Sequence, residues 1–132
     1  MTRLLRNLIF ATFFAALPAV AGEALSVESV LAKAAELDGK AVTVTGKVLG
    51  FKQKTSRAGN AYFTFKLKGG KDEPLNIYSQ GKSEKEWKDG DLVVVDGIFR
   101  KEKKVQDFVV KNEIDATPKE GKPYGVKAPP KS

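Results

Sequence analysis

The sequence predicts a small, mostly β domain in which five strands follow one N-terminal helix and close into a Greek-key barrel. The spacing of apolar residues changes near Lys40 from the helical period of 3.6 to the strand period of 2. Five short apolar segments, separated by turn residues, then follow within residues 40–114. A closed barrel suits so many strands in so short a segment, and an open five-stranded sandwich is the structural alternative.

The first 22 residues have the features of a signal peptide. Two arginines give a positive start, and the apolar run at residues 8–17 has the length of a signal-peptide core. A transmembrane anchor needs about 20 apolar residues. Small residues at 19–21 suit signal peptidase, so we expect cleavage after Ala21 or Gly22, with an uncleaved anchor as the alternative. The mature protein is expected to be periplasmic or secreted, without stable membrane insertion.

The helix is expected over residues 26–38. Ser26 is a suitable N-cap, and an apolar stripe follows at the spacing of one helix face. Asp38-Gly39 is a typical C-terminal signal. The first strand is expected over 40–52, where Gly46 and Gly50 indicate a bend or a bulge.

The remaining elements are predicted from turn residues and from period-2 alternation. In chain order they are a basic loop over 53–61, a strand over 61–68, a strand over 75–79, one helical turn over 82–88 with Trp87 as its only large apolar residue, a strand over 92–100, a charged loop over 101–104, a strand over 105–114, and a disordered tail over 117–132 rich in proline and lysine.

Composition excludes several classes of function. The chain contains neither cysteine nor histidine, so it cannot build ordinary zinc, haem or iron–sulfur sites, or Ser-His-Asp and Cys-His catalytic groups. Without disulfides, the domain must depend on a continuous hydrophobic core. A metal-dependent nuclease would need converging carboxylates, whereas the acidic residues here fall mostly in turns and at strand ends. We expect no enzymatic activity and no cofactor or metal.

Net charge gives only a weak basic signal. Removing two of the 23 basic residues with the leader leaves 21 against 16 acidic residues, a net charge of +5. The predicted tail, 117–132, holds four lysines and one glutamate, so it carries +3 of that charge. An electrostatic argument must therefore depend on where the charges cluster.

Five segments of the strand region form a pattern of the type V-x-V-x-G-x-V, then Y-F-x-F-x-L, then D-G-D-x-V-x-V-x-G. They are VTVTGKVLGF (42–51), GNAYFTFKLK (59–68), LNIYS (75–79), DGDLVVVDGIF (89–99) and NEI (112–114). In this pattern the chain resembles the OB-fold, in particular the nucleic-acid-binding branch that includes anticodon-binding domains, and more loosely the small exported bacterial OB proteins. The resemblance implies a five-stranded OB-fold Greek-key barrel over residues 23–116. OB barrels also bind oligosaccharides and proteins.

Outward residues of the second and third strands suggest a binding face. Alternation places Tyr62, Thr64 and Lys66 on the outside of the second strand, and Tyr78 on the outside of the third. Aromatic rings can stack on bases while lysines meet phosphates. The alternative is that tyrosine and threonine are ordinary strand residues with high β-propensity.

Cations in two loops are expected to border the same face. Lys54 and Arg57 lie in the loop after the first strand, and Lys101 and Lys103 lie in the loop after the fourth. Such cations could contact phosphates, or they could simply keep hairpin tips soluble and protect sheet edges. The predicted nucleic-acid-binding residues are Lys47, Lys54, Arg57, Tyr62, Thr64, Lys66, Tyr78, Lys101 and Lys103.

The sequence therefore favours an exported, non-catalytic OB-fold protein that binds single-stranded nucleic acid or another polyanion. The periplasm holds little nucleic acid, so a second hypothesis stays open. In that hypothesis the same face binds a glycan, a small ligand or an envelope protein partner.

Overall fold

The structure, a computed structural model, describes residues 24–70 and 73–130. The predicted signal peptide lies outside these residues. The described chain is mostly β-sheet, with two short helices and seven strands in one sheet. Its elements are β1 (Leu25–Ser26), α1 (Val27–Ala32), α2 (Ala34–Leu37), β2 (Ala41–Thr55), β3 (Ala61–Lys68), β4 (Leu75–Gln80), β5 (Leu92–Val105), β6 (Phe108–Asp115) and β7 (Gly125–Lys127).

Five of the strands form a closed ring. β2 pairs with β3, and β3 with β4, in antiparallel fashion. β4 then pairs in parallel with β6, β6 pairs antiparallel with β5, and β5 returns to pair antiparallel with β2. β1 lies parallel to β2, and β7 lies antiparallel to β5. The prediction of a mostly β domain with five main strands is confirmed.

The hydrophobic core lies inside this ring. Inward residues alternate with outward ones along β3 and β4, as the period of 2 predicted. Val27 and Val30 of α1 are fully buried and pack against the same cluster. The largest fully buried side chains of the strands are Leu67, Leu75, Ile77, Phe99 and Ile114.

The N-terminal helix is divided into two. Ser26 is the N-cap as predicted, because its Oγ accepts the N–H of Ser29 at 3.1 Å. The single helix predicted over 26–38 is wrong, since Lys33 (φ −112°, ψ 24°) leaves helical geometry between α1 and α2. The second turn thereby brings Gly39 to the sheet, where its N–H donates to the Phe99 carbonyl at 2.7 Å. Among the described residues, no helix is long and apolar enough to cross a membrane.

The charged segment at 101–104 is strand and not loop. It belongs to β5, and its residues pair with the start of β6 in a long hairpin. Only Gln106 and Asp107 separate these two strands. The loop prediction is wrong because charged side chains remain exposed on a hairpin and do not prevent backbone pairing. The first strand likewise runs to Thr55, three residues further than predicted.

The segment 82–88 contains no helix in the structure, so the predicted helical turn is wrong. The N–H of Ser83 donates instead to Gln53 Oε1 at 2.9 Å, which holds the segment against β2 in an irregular conformation. Trp87 is buried and belongs to the core cluster. An apolar anchor in a polar stretch therefore fixes this connection to the ring.

The C-terminal segment forms a strand that the sequence did not predict. β7 pairs with Val94, Val95 and Asp96 of β5, and Val126 packs against the core. The prediction of a disordered tail is thus wrong for residues 125–127. β6 ends opposite Ile98, so the backbone groups of β5 beyond it need another partner. Three residues are too few to show a strand period.

Candidate ligand-binding face

The outward side of β2, β3 and β4, which we call the outer face, contains most of the predicted site residues. Tyr62, Thr64 and Lys66 project from β3, and the residues between them are buried. In the β3–β4 register Thr64 stands opposite Tyr78, and Lys66 stands opposite Asn76. The strand pairing therefore places both tyrosines on one side of the sheet.

A bulge in β2 decides which of its lysines join the outer face. The register between β2 and β3 shifts just before Lys52, and Gly50 within the bulge has a φ of 69°. A positive φ is readily adopted only by glycine. After the shift, Lys52 stands opposite Thr64 and Lys54 stands opposite Tyr62. The sequence-based prediction of a bend or bulge is confirmed at Gly50.

Tyr62 and Tyr78 lie side by side near the centre of the outer face. Their ring centroids are 5.7 Å apart, and the ring planes are inclined by 37°. Both side chains are partly exposed. The two residues are diagonal neighbours on adjacent strands, a separation that aromatic side chains can bridge. Together they form one aromatic surface between the basic residues of β2 and the β5–β6 hairpin.

Lys103 reaches this surface from the hairpin. Its Nζ lies 4.6 Å from the centroid of the Tyr78 ring and 2.7 Å from Glu113 Oε1. The Glu113 residue is only 5 % exposed, and a carboxylate in that environment requires a paired cation. Lys103 is therefore held between a ring and an acid, with its charge already balanced.

The structure brings some of the predicted residues together and leaves others apart. Lys47 stands opposite Lys68 and Leu92, towards the end of the face remote from Tyr62. Arg57 lies in the turn between β2 and β3. The N–H of Lys101 donates to Asp38 Oδ1 at 2.8 Å, next to the end of α2. The residues that cluster around the tyrosine pair are Lys54, Tyr62, Thr64, Lys66, Tyr78 and Lys103.

Sequence analysis missed three charged residues of this surface. Lys52 joins it because of the bulge, and the glycine before it was the available signal. Glu113 and Asp115 border it because β6 pairs in parallel with β4. No local pattern predicts that pairing, since the two strands are more than 30 residues apart in the chain. The Asp115 carboxylate accepts the Thr117 hydroxyl at 2.6 Å and the Thr117 N–H at 3.0 Å.

The charges on the outer face are unevenly distributed. Lys52 and Lys54 lie on β2, and Lys66 lies on β3. The carboxylates of Glu113 and Asp115 lie beyond β4, on β6. Because unlike charges attract and like charges repel, an anionic ligand is favoured along β2 and β3 and disfavoured across β6.

The described residues offer no preformed metal site. Within 24–70 and 73–130, no three acidic side chains lie close enough together to hold a metal ion. The fold and the outer face thus define a small β-sheet protein whose most distinctive surface is an aromatic pair beside lysines.

Comparisons of the chain with protein-family models, with curated proteins and with solved structures found no match. The geometry of the fold and of the outer face is therefore the basis for the function proposed below.

Proposed function

We propose that this chain is an OB-fold protein that binds single-stranded nucleic acid on its outer face. Support for the fold comes from the ring of five strands. Spatial neighbours β5, β2, β3 and β4 follow the order 4-1-2-3 of a Greek key. The OB-fold is a five-stranded Greek-key barrel that uses the face of its second and third strands for oligonucleotides and oligosaccharides. Those two strands correspond to β3 and β4 here.

The observation that carries the proposal is the pair formed by Tyr62 and Tyr78. Two partly exposed rings 5.7 Å apart at the centre of a sheet give unpaired bases a surface on which to stack. Base stacking on an aromatic side chain is worth about 1–3 kcal/mol per base. Lys52, Lys54 and Lys66 supply cations at the distances of neighbouring strand positions, where they can meet phosphates.

The asymmetry of charge suggests the path of the nucleic acid. A strand that follows β2 and β3 passes the three lysines, whereas one that crosses β4 towards β6 meets the two carboxylates. Tyr62 lies on the favoured path. Tyr78 has one ring neighbour in Tyr62 and another in Lys103, so it chiefly supports the first ring. We therefore expect Tyr62 to contribute more to stacking than Tyr78.

A titration of residues 23–132, which contain all described helices and strands, tests the proposal. Labelled single-stranded DNA and RNA are titrated at low and at physiological salt, with heparin as a polyanion without bases. We expect saturable binding that weakens as salt rises and that favours nucleic acid over heparin. Equal affinity for heparin would indicate a general polyanion site, and no binding at low salt would refute the proposal.

Tyrosine variants locate the site. We expect Tyr62→Ala combined with Tyr78→Ala to weaken binding by about 1–3 kcal/mol or more without unfolding the domain, because both rings are partly exposed. The matched control is Tyr124→Ala, which removes the third tyrosine of the chain from a position outside the outer face. Unchanged affinity in a folded double variant would remove the tyrosines from the site.

A further inference from the structure

The hairpin formed by β5 and β6 ends in an exposed apolar tip. Phe108 is 59 % exposed and Val109 is 48 % exposed, and neither belongs to the core cluster. In register, Phe108 stands opposite Val105, and the turn of Gln106 and Asp107 closes the hairpin. Large apolar side chains grouped on an exposed surface usually mark a site of interaction.

Basic residues follow this tip along both strands of the hairpin. Residues 100–111 contain five basic and two acidic residues. Lys103 is paired with Glu113, whereas Lys104 and Lys111 are exposed. Lys104 stands opposite Val109, and Lys111 lies three residues behind Phe108. At about 3.3 Å per residue, these ammonium groups sit within roughly 10 Å of the apolar tip.

We propose that this hairpin tip inserts into the surface of an anionic lipid bilayer. Interfacial segments bury their apolar side chains about 5–10 Å into the boundary between headgroups and acyl chains. With the tip at that depth, Lys104 and Lys111 lie at the level of anionic headgroups, which attract lysines near the surface. A convex tip needs no complementary groove in its partner, and a fluid bilayer accommodates it.

The tip and the outer face are different surfaces, so this inference does not depend on nucleic-acid binding. Phe108, Val109 and Lys104 are outside the cluster around Tyr62 and Tyr78. The two proposals can therefore fail separately: lipid binding is measured without nucleic acid, and nucleic-acid binding is measured without lipid.

Cosedimentation with vesicles gives the first test. Residues 23–132 are used because they hold every described element and lack the apolar run of the leader, which would itself bind lipid. We expect binding to vesicles of phosphatidylglycerol and phosphatidylcholine that weakens with salt, and little binding to phosphatidylcholine alone. Absence of binding to the anionic vesicles at low salt overturns the proposal.

Two serine variants separate insertion from surface attraction. Phe108→Ser is expected to reduce the partition coefficient at least about tenfold, because the side chain no longer gains from leaving water. Leu92→Ser is the matched control, since Leu92 is 51 % exposed at the other end of the same strand. It should leave binding unchanged. Equal losses in both variants, or none in Phe108→Ser, would contradict insertion of the tip.

A tryptophan reporter measures insertion directly. Trp87 is the only tryptophan of the chain and is buried, so its emission should respond little to lipid. With the Phe108→Trp variant we expect a blue shift on adding anionic vesicles and quenching by acyl chains that carry bromine. A variant that cosediments with vesicles but shows neither change would bind through its lysines alone and would overturn the proposal.

Discussion

At the scale of single residues, the contact of Lys103 with Glu113 is the one whose energetic consequence is best defined. The ion pair of 2.7 Å is the only polar contact of that Glu113 oxygen within the described residues. The Glu113 side chain is 6 % exposed and that of Lys103 is 30 % exposed. Removing the cation leaves a buried carboxylate without a partner, which costs more than the pair itself contributes.

We therefore expect Lys103→Met to lower the free energy of unfolding by about 1–3 kcal/mol. Adding Glu113→Gln to that variant should recover part of the loss, because a neutral amide is less costly to bury than an unpaired charge. Urea denaturation at neutral pH measures both effects. Lys104→Met is the control, since Lys104 is exposed and should change stability by less than about 0.5 kcal/mol. Equal stability of the Lys103 and Lys104 variants would contradict this account.

The sequence predicted the positions of the tyrosines better than the roles of the lysines. Alternation in β3 and β4 is a local property, so Tyr62 and Tyr78 were assigned correctly to the outside. The partners of a lysine depend on strands that are distant in the chain. Lys103 was predicted to contact phosphate from a loop, but the structure places it in β5, against Glu113.

At the scale of elements, the two glycines of β2 were predicted together but serve different purposes. Gly50 lies in the bulge with a φ of 69°. Gly46 has no positive φ, but a Cβ at that position would lie 2.8 Å from Leu67 Cγ and 2.9 Å from the Lys68 carbonyl oxygen. One glycine therefore allows a backbone conformation, and the other allows a close approach. Composition alone does not distinguish the two.

Helix α1 is joined to the end of β3 by Glu28. Its carboxylate accepts the N–H of Gly70, and a Cβ at Gly69 would lie within 2.6 Å of that carboxylate. The hydrogen bond from Gly70 holds the pKa of Glu28 below its usual value of 4.5, and the backbone N–H of Glu28 itself adds to the effect. The charged form of Glu28 is thus favoured in the folded protein.

This contact predicts a pH-dependent effect of Glu28→Gln. A carboxyl whose pKa is lower in the folded than in the unfolded state stabilises the fold above the unfolded value, and this contribution is lost as pH falls through the folded value. We expect the variant to have a lower Tm than the parent at pH 7, with the difference shrinking below pH 4.5. Glu36→Gln in α2 is the control. A difference in Tm that is constant across this range would refute the argument.

At the scale of the whole molecule, the strands were predictable but the closure of the ring was not. Each main strand has its own apolar period, and the core residues of β3 and β4 follow from it. Closure depends on β5 pairing with β2, and on β6 pairing in parallel with β4. These pairings join distant segments, and the resemblance to the OB-fold was the only source for their prediction. The short strands β1 and β7 contain too few residues to show a period.

β7 completes the molecule by covering an edge of β5. It pairs with Val94, Val95 and Asp96, beyond the end of β6. Lys127 lies 3.7 Å from Asp96 Oδ2, but its side chain is 62 % exposed, so this ion pair should contribute less than about 1 kcal/mol. Val126, which packs against the core, and the backbone pairing should therefore contribute most of the stabilisation.

We expect a chain ending at Thr117 to be less stable than the complete chain by about 1–3 kcal/mol, because Val126 no longer covers the core. It should also self-associate, since an unpaired strand edge is a template for another strand. Urea denaturation and sedimentation velocity measure these effects, with Lys127→Ala in the complete chain as the control that keeps the strand. If the loss comes from β7 as a strand, the control should resemble the parent and remain monomeric. A shortened chain that is as stable and as monomeric as the parent would show that β5 does not need this cover.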